Sequence, residues 1–224
     1  MKIAIMQPYF YPYLGYYQLI SECDTFIFLD DVNFIRKGFV HRNFINVAGE
    51  KSQINLRLVK ASQNKKINEL LIADSTSDFV NRVESCYKKS TYWDDVSEIL
   101  SEHNAEKASS LSEFLIKINT NLIFRFGLDV KILKSSDIEL DVFGLRGEDR
   151  IIELTKAIGG TSYLNLPGGK SLYSAGKFLE HSLGLEFITP QLRLDGGVEN
   201  SHSIIDCVAN HGFNHLKNWF RGGL

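Results

Sequence analysis

The sequence predicts an α/β fold, namely an open, mostly parallel, Rossmann-like sheet with an appended β-hairpin and a helical insertion. The first observation is the opening of the chain, where an apolar strand at residues 2–6 is followed by a turn, a short helix and a second apolar strand at 25–29. The second is the last third of the chain, in which strands and helices alternate again. Strands that alternate with helices pair in parallel, so both ends of the chain favour one parallel sheet.

The remaining elements follow from the spacing of apolar residues. A short helix is predicted at 16–22, and alternation between 34 and 60 predicts a hairpin that turns at 48–50. In 78–126 apolar residues recur at helical spacing, which predicts three helices. Their predicted N-caps are Ser77 or Asp78, and Ser110.

The last third is predicted to hold three strands, at 130–136, 161–166 and 185–189, and three helices, at 147–160, 172–182 and 203–218. No internal repeat is present, and no linker rich in Gly, Ser and Pro marks a boundary. We therefore predict a single α/β domain over 1–224 with a helical insertion at about 74–127.

Composition and charge exclude several classes of protein. With 44% hydrophobic and 23% charged residues, the chain is neither disordered nor collagen-like. A net charge of -2 excludes a generally basic nucleic-acid coat, so nucleic acid is not an expected partner. No segment approaches the ~18 consecutive apolar residues of a membrane span, and the first residues lack the apolar run of a signal peptide. The widely spaced Cys23, Cys86 and Cys207 are typical of reduced thiols, which predicts a cytoplasmic location.

The densest group of candidate site residues follows the first strand. Open α/β sheets bind ligands at the carboxyl ends of their strands. Two prolines stiffen this stretch, Gly15 lets the backbone pass close to a partner, and several phenol rings are suited to hold a base or a sugar. Filling the top of the core is the alternative use of these rings. The predicted substrate-binding residues are Gln7, Pro8, Tyr9, Tyr11, Tyr13, Gly15 and Tyr16.

A second polar cluster follows the second strand. Carboxylates at a strand end accept protons, hold Mg²⁺ or bind an amine or a ribose. His41 titrates near neutral pH, and Arg42 offers two parallel hydrogen bonds to a phosphate or a carboxylate. We predict Asp30, His41 and Arg42 as catalytic residues, with Asp30 or His41 as the base, and Asn43 as a substrate-binding residue. A turn whose charges are merely solvated is the alternative.

The third candidate is the turn Leu166-Pro167-Gly168-Gly169-Lys170-Ser171, predicted to lie between a strand and a helix. Its glycines free backbone N–H groups to converge on an anion, and Lys170 adds a positive charge. It is not a Walker A loop, because that pattern needs a glycine where Leu164 stands. We predict a looser phosphate or carboxylate cradle formed by Gly168, Gly169 and Lys170, with an ordinary strand-to-helix turn as the alternative.

We expect no tightly bound metal. The cysteines are not spaced like a metal knuckle. His211 and His215 stand four residues apart, but the stretch lacks the glutamate of a metalloprotease helix, and Gly212 weakens a helix there. The cofactor is therefore left open, with a nucleotide or an acyl or aminoacyl donor in view.

Taken together, these motifs resemble the WbqC-like protein family in the same order over essentially the whole chain. The stretches that carry the resemblance are IAIMQPYFYPYLGY, DTFIFLDDVNF, HRNFI, YLNLPGGKSLY and SIIDCVANHG. Tyr13 and Phe39 stand where the family usually has Trp, and His41 stands where it often has Asn. The resemblance points to Gln7, Pro8, Tyr9, Pro12, Gly15, Tyr16, Asp30, Arg42, Asn43, Gly168 and Asp206.

The resemblance also implies a context, since members lie mostly in bacterial gene clusters for O-antigen and other surface glycans. Our leading hypothesis is an enzyme that acts on a nucleotide-linked sugar by N-acyl or aminoacyl transfer to an amino sugar. One alternative is an ATP-dependent ligase or nucleotidyltransferase, in which Asp30 or Asp31 binds Mg²⁺. This alternative has the support of a weaker resemblance to the H-x-G-H loop of nucleotidyltransferases, although Tyr13 and Tyr16 stand in place of both histidines. The other alternative is a non-catalytic binder of glycan precursors. The oligomeric state is left open.

Overall fold

The computed structural model describes residues 1–73, 77–101, 109–140, 144–194 and 201–222. The chain forms two compact units, and each unit is assembled from three separate stretches. The first unit contains residues 1–7, 15–30 and 129–191, and the second contains residues 8–14, 31–128 and 192–224. The predicted insertion at about 74–127 falls within the second unit, and the single domain over 1–224 stays a prediction.

The elements follow one another in an α/β order. The strands are β1 (Lys2–Met6), β2 (Thr25–Phe28), β3 (Arg42–Val47), β4 (Glu50–Asn55), β5 (Lys131–Lys134), β6 (Ser162–Asn165) and β7 (Gly184–Phe187). The helices are α1 (Leu14–Ser21), α2 (Ser77–Tyr87), α3 (Trp93–Ser101), α4 (Leu111–Arg125), α5 (Gly147–Ala157), α6 (Ala175–Glu180) and α7 (Ile204–Phe220). Among the described residues, no helix is long and apolar enough to cross a membrane.

A five-stranded parallel sheet forms the centre of the first unit, in the order β5-β2-β1-β6-β7. Every neighbouring pair is parallel, with Ile3 of β1 level with Thr25 of β2 and Tyr163 of β6. The sheet confirms the predicted fold class. Strands β2 and β5 lie on one side of β1, whereas β6 and β7 lie on the other. The strand order therefore reverses between β1 and β6, which is where sheets of this kind bind ligands.

The core of the first unit lies against this sheet. Helix α5 buries Ile151 and Leu154 among side chains that include Ile3. Gly159 has a φ of 76°, which favours glycine and ends the helix. At Gly160 a Cβ atom would lie 2.5 Å from Cγ1 of Ile3, so the chain approaches β1 this closely only because the residue is glycine.

The second unit contains the antiparallel hairpin β3–β4, which confirms the predicted appended hairpin. Its turn is made by Ala48 and Gly49, and both have positive φ, as tight hairpin turns require. Three helices follow, as predicted. Ser110 caps α4 by accepting a hydrogen bond from Glu113 N–H. Helix α2 already begins at Ser77, so Ser77 and Asp78 lie within the helix and not at its predicted N-cap.

The last helix differs from its prediction. It extends to Phe220 and is broken at Gly212, whose φ of 73° is not helical. The backbone N–H of Phe213 donates to a carboxylate oxygen of Asp95 at 2.6 Å, so Asp95 caps the second half of α7. A Cβ at residue 212 would lie 2.5 Å from Cδ1 of Tyr92. The expected single helix is therefore two helical segments joined at a glycine.

Candidate functional site

The predicted site residues divide evenly between the two units. Seven belong to the first unit: Gln7, Gly15, Tyr16, Asp30, Gly168, Gly169 and Lys170. Seven belong to the second unit: Pro8, Tyr9, Tyr11, Tyr13, His41, Arg42 and Asn43.

In the first unit, the ends of β1 and β6 carry a set of residues that we name the switch-point group. Its members are Gln7, Asn165, Gly168, Gly169 and Lys170. Gln7 directly follows β1, Asn165 is the last residue of β6, and the glycines and Lys170 lie in a short 3₁₀ turn over Pro167–Leu172. The structure thus brings the predicted cradle to the edge of the sheet where ligands bind.

Asn165 is the member that sequence reasoning missed as a site residue. The side chain is buried, and its Oδ1 accepts a hydrogen bond from Leu166 N–H at 2.7 Å. Its Nδ2 has no hydrogen-bond partner among the described residues. A Cβ on Gly169 would lie 2.4 Å from this Nδ2, so only glycine at 169 leaves the amide its place. The available signal was an amide residue at the carboxyl end of a strand, next to the Gly-Gly pair.

The turn offers an anion fewer backbone donors than predicted. Gly169 N–H already donates to Leu166 O at 3.0 Å. Gly168 is exposed, and a Cβ there would meet no atom within 4 Å. The exposed Lys170 places its Nζ 5.8 Å from the ring centroid of Phe187. A cradle at this turn would therefore rest on the amide of Asn165 and the charge of Lys170 as much as on backbone groups.

Tyr16 and Gly15 are buried in the first unit. The hydroxyl of Tyr16 donates to the backbone oxygen of Gln7 at 2.9 Å, and its ring meets the edge of Phe26 at 5.5 Å between centroids. This contact fixes the end of β1. Tyr16 is therefore part of the core, and its contact with a ligand stays a prediction. The half-buried Gln7 side chain keeps some exposed surface.

Asp30 is also buried, with 1% of its surface exposed. Its carboxylate accepts hydrogen bonds from Ser135 Oγ at 3.1 Å, from Ser136 N–H at 3.1 Å and from Ser136 Oγ at 2.8 Å. These bonds join the end of β2 to the turn after β5. The contacts give Asp30 a structural task, and its role as a catalytic base stays a prediction.

In the second unit, residues 8–14 form a segment that we name the tyrosine loop. Its backbone is held by Asn43 of β3, whose Nδ2 donates to Phe10 O at 3.0 Å and to Tyr11 O at 2.6 Å. Tyr11 has a φ of 45°, a conformation that side chains other than glycine rarely adopt. The buried amide of Asn43 thus holds a strained backbone in place, and its contact with a substrate stays a prediction.

The aromatic rings of the tyrosine loop differ in exposure. Tyr11 is buried and stacks on Phe79 with 5.6 Å between ring centroids. Tyr9 is half-buried and meets Phe39 edge to face, and its backbone oxygen accepts a hydrogen bond from Asn119 Nδ2 at 2.8 Å. Tyr13 is half-buried as well, and burial raises its pKa. Tyr9 and Tyr13 therefore keep ring surface for a ligand. Pro8 and Tyr11 pack inside the unit, and their substrate contact stays a prediction.

Arg42 and His41 adjoin the same hairpin. The guanidinium of Arg42 donates from Nε to Gly38 O at 3.2 Å and from Nη2 to Lys37 O at 2.6 Å, so part of its donor capacity is spent on the preceding turn. The His41 ring is half-buried against the edge of Phe34, and its buried Nδ1 has no hydrogen-bond partner among the described residues. Burial, together with the charges of Arg42 and Arg36, holds the pKa of His41 below its ordinary value. His41 is therefore a neutral imidazole at pH 7.

Asp206, in the first turn of α7, is a second residue that was not predicted as a site residue, although the family resemblance points to it. The buried carboxylate accepts the N–H of Asn46 through both oxygens at 3.1 Å, and the hydroxyl of Tyr87 donates to Oδ1. Burial raises the pKa of Asp206 to about 7, against the opposing hydrogen bond from Asn46. A carboxyl group that is half protonated near neutral pH is uncommon and is often functional.

The expectation about metals stays a prediction. The rings of His211 and His215 stack with 5.3 Å between centroids. Within the described ranges, no three His, Cys, Asp or Glu side chains are grouped so that they could hold a metal ion.

The fold and the switch-point group define an α/β protein with a candidate ligand site at the carboxyl edge of a parallel sheet. The chain matches the model of the WbqC-like protein family over residues 7–218, and it belongs to that family. It is also similar to uncharacterized protein Rv1507c of Mycobacterium tuberculosis (strain ATCC 25618 / H37Rv), with 26% identity over 221 residues that cover 94% of each chain. No solved structure matches the chain. Membership of the family is compatible with an enzyme.

Proposed function

We propose that the chain is an enzyme of bacterial surface-glycan synthesis that acts on a nucleotide-linked amino sugar. The observation that carries the proposal is the switch-point group, where an amide donor with no partner in the described part of the chain and an exposed lysine adjoin the reversal of strand order. Amide and ammonium donors suit the phosphates and hydroxyls of such a substrate. The family context supports the choice of a glycan precursor.

The proposed reaction is N-acyl or aminoacyl transfer. The amine of the sugar attacks the carbonyl carbon of an activated acyl donor, a C–N bond forms, and the bond between that carbon and the donor's leaving group breaks. The amine loses a proton to a base, and the leaving group departs with its electron pair. An amide bond on the sugar is the product. Holding both reactants together supplies much of the rate in reactions of this kind.

Of the two residues proposed as the base, the contacts favour His41. The neutral imidazole, whose pKa lies below its ordinary value, is ready to accept a proton at pH 7. Asp30 already accepts three hydrogen bonds from Ser135 and Ser136. With an identified substrate, loss of turnover in a folded His41→Gln variant supports this assignment. Loss of turnover in Asp30→Asn alone would assign the base to Asp30.

The first experiment is a thermal-shift panel with UDP-sugars and dTDP-sugars, amino sugars included, and with ATP, each in the presence and absence of Mg²⁺. A ligand at about 100 times its dissociation constant stabilises a protein by roughly 2.7 kcal/mol, which raises Tm by a few degrees in a chain of this size. We expect a rise with a nucleotide-linked amino sugar that does not depend on Mg²⁺. Mass spectrometry with acyl and aminoacyl donors then identifies the product.

A matched pair of variants tests the position of the site. Gly169→Ala brings a methyl group against Nδ2 of Asn165, so we expect the ligand-induced rise in Tm to disappear. Gly176→Ala is the control, because a Cβ there meets only Ser174 Oγ at an ordinary 3.7 Å. An equal ligand response in both variants would contradict a site at this turn.

Two other outcomes would replace the proposal. A rise with ATP and Mg²⁺ only would favour a ligase or nucleotidyltransferase, for which the described contacts of Asp30 offer no support. Saturable binding of a sugar nucleotide without product from any donor would favour a non-catalytic binder. A cytoplasmic place of action belongs to the proposal, and it is supported by three free cysteines, of which Cys23 and Cys207 are buried.

A further inference from the structure

A short turn before β3 exposes two large apolar side chains on either side of two basic residues. We name residues 35–39, Ile-Arg-Lys-Gly-Phe, the basic turn. Ile35 is 51% exposed and Phe39 is 46% exposed, while Arg36 and Lys37 between them are exposed as well. Side chains of this size are usually covered, so a pair of them within five residues indicates a contact surface.

The basic turn is held in one shape by hydrogen bonds. Gly38 N–H donates to Ile35 O at 3.0 Å, which closes a β-turn with Arg36 and Lys37 at its corners. The guanidinium of Arg42 donates to the carbonyl oxygens of Lys37 and Gly38. The apolar and basic side chains are thus displayed by a braced backbone, which lowers the entropy that a partner would have to remove.

Positive charge gathers around this turn. Phe34 N–H donates to Lys65 O at 2.9 Å, and Asn33 pairs with Lys66, so a second segment adds two lysines beside the turn. In the described part of the chain, no ion pair is formed by Arg36, Lys37, Lys65 or Lys66. The pKa of His41 is lowered mainly by burial and further by the neighbouring charges of Arg42 and Arg36.

We propose that the basic turn docks the protein on an anionic lipid surface. Apolar side chains that alternate with cations suit a bilayer interface, because the apolar groups enter the acyl boundary while the cations meet anionic headgroups. A nucleic acid would use the four cations but leave Ile35 without a hydrocarbon partner. Elsewhere, Phe124 is 83% exposed, but the neighbouring Arg125 is paired with Glu98. The inference does not depend on the reaction proposed above.

The test is sedimentation of the whole protein with vesicles. One set contains phosphatidylglycerol and phosphatidylethanolamine, and the other contains phosphatidylcholine alone. We expect binding to the anionic vesicles, weaker binding as NaCl is raised, and little binding to phosphatidylcholine. A single-stranded oligonucleotide is the competing probe. Absence of vesicle binding, equal binding to both lipids, or binding to the oligonucleotide alone would overturn the proposal.

Matched variants locate the surface. Ile35→Ser is expected to lower the partition coefficient by about 5- to 10-fold, and Phe124→Ser is the control for exposed apolar area, with a change within about 2-fold. Arg36→Gln with Lys37→Gln is expected to lower the coefficient by about 10- to 30-fold. Its control is Lys88→Gln with Lys89→Gln, an exposed basic pair after α2. Circular dichroism melts confirm that each variant folds, and controls that lose as much binding as the turn variants would refute the assignment.

Discussion

The turn after β6 and the tyrosine loop after β1 both lie in stretches that carry the family resemblance, yet the side-chain amides beside them are used in opposite ways. Next to the tyrosine loop, Asn43 of β3 donates its amide hydrogens to two backbone carbonyls of the loop. In the turn after β6, Asn165 leaves its Nδ2 without a partner among the described residues. A stretch rich in motif residues therefore indicates either a loop whose backbone needs side-chain hydrogen bonds or a site where a ligand binds.

The difference has a physical cause. The tyrosine loop is irregular and largely buried, so its carbonyl oxygens find no partners in a strand or a helix, and buried polar groups must be paired. Asn43 and Asn119 supply the donors from outside the loop. The turn after β6 is a short 3₁₀ helix that pairs part of its own backbone, so the amide of Asn165 stays available.

The largest expected effect on stability comes from removing the hydrogen bonds that Asn43 makes to the tyrosine loop. Asn43→Ala leaves the carbonyls of Phe10 and Tyr11 without their donor and removes the acceptor of Phe44 N–H. We expect a loss of about 3–6 kcal/mol in the free energy of unfolding, measured by urea denaturation. The control is Asn81→Ala on the exposed side of α2, which should change stability by less than about 0.5 kcal/mol. Similar losses of stability in both variants would show that the hydrogen bonds of Asn43 to the tyrosine loop do not stabilise the fold.

The second prediction concerns the free energy of unfolding as a function of pH. Asp206 contacts β3 by accepting a hydrogen bond from Asn46 N–H. The pKa of this carboxyl is raised from 3.8 to about 7, so between these values the folded chain binds more protons than the unfolded chain. Stability should therefore be highest at the acid end of this window and should fall as pH rises to about 7, by about 2–4 kcal/mol.

Asp206→Asn removes the titrating group, so the decline should vanish in urea unfolding measured from pH 5 to pH 8. Glu50→Gln, an exposed change in the same unit, should keep the decline of the parent protein. A variant Asp206→Asn whose stability still falls across this window would assign the pH dependence to another group.

The third prediction concerns a holding contact in the first unit. Asp30→Asn replaces one of the oxygens that accept from Ser135 and Ser136 with an amide nitrogen. We expect a loss of about 1–2 kcal/mol, because the hydroxyls are able to turn and accept instead. Urea denaturation measures it, with the exposed Glu139→Gln as the control. An unchanged stability would mean that the serines do not need the carboxylate.

The sequence was sufficient for the fold class and for most elements, but not for contacts between segments that are distant in sequence. Strand β1 and the turn at Ala48-Gly49 were predicted because apolar alternation and turn chemistry are local properties. The break at Gly212 was not predicted as a break, since the cap that stabilises it is Asp95, far away in sequence. Each of the two units likewise consists of stretches that are distant in sequence.

The site shows the same limit. Strand ends and motif residues identified where polar groups gather, but not what each one contacts. Asn43 and Arg42 are neighbours in the same motif. Their hydrogen-bond acceptors, the backbone oxygens of Tyr11 and Lys37, depend on the tertiary structure. Asn165 was missed because an asparagine before a Pro-Gly-Gly turn is an ordinary turn residue in sequence terms. Only the structure shows that its Nδ2 has no hydrogen-bond partner within the described ranges.

The smallest expected effect on stability is at Asn165, and it is the most informative about function. Asn165→Ala removes only the acceptor of Leu166 N–H, so we expect a loss of about 1 kcal/mol or less in urea unfolding. The rise in Tm with a nucleotide-linked amino sugar should nevertheless disappear. Asn165→Asp keeps the acceptor but puts a carboxyl oxygen in place of the donor, so it should bind a phosphate ligand even less, at some further cost in stability because the side chain is buried. A loss as large as that of Asn43→Ala would remove the contrast between the two loops, and ligand stabilisation that persists in Asn165→Asp would mean that Nδ2 is not the donor.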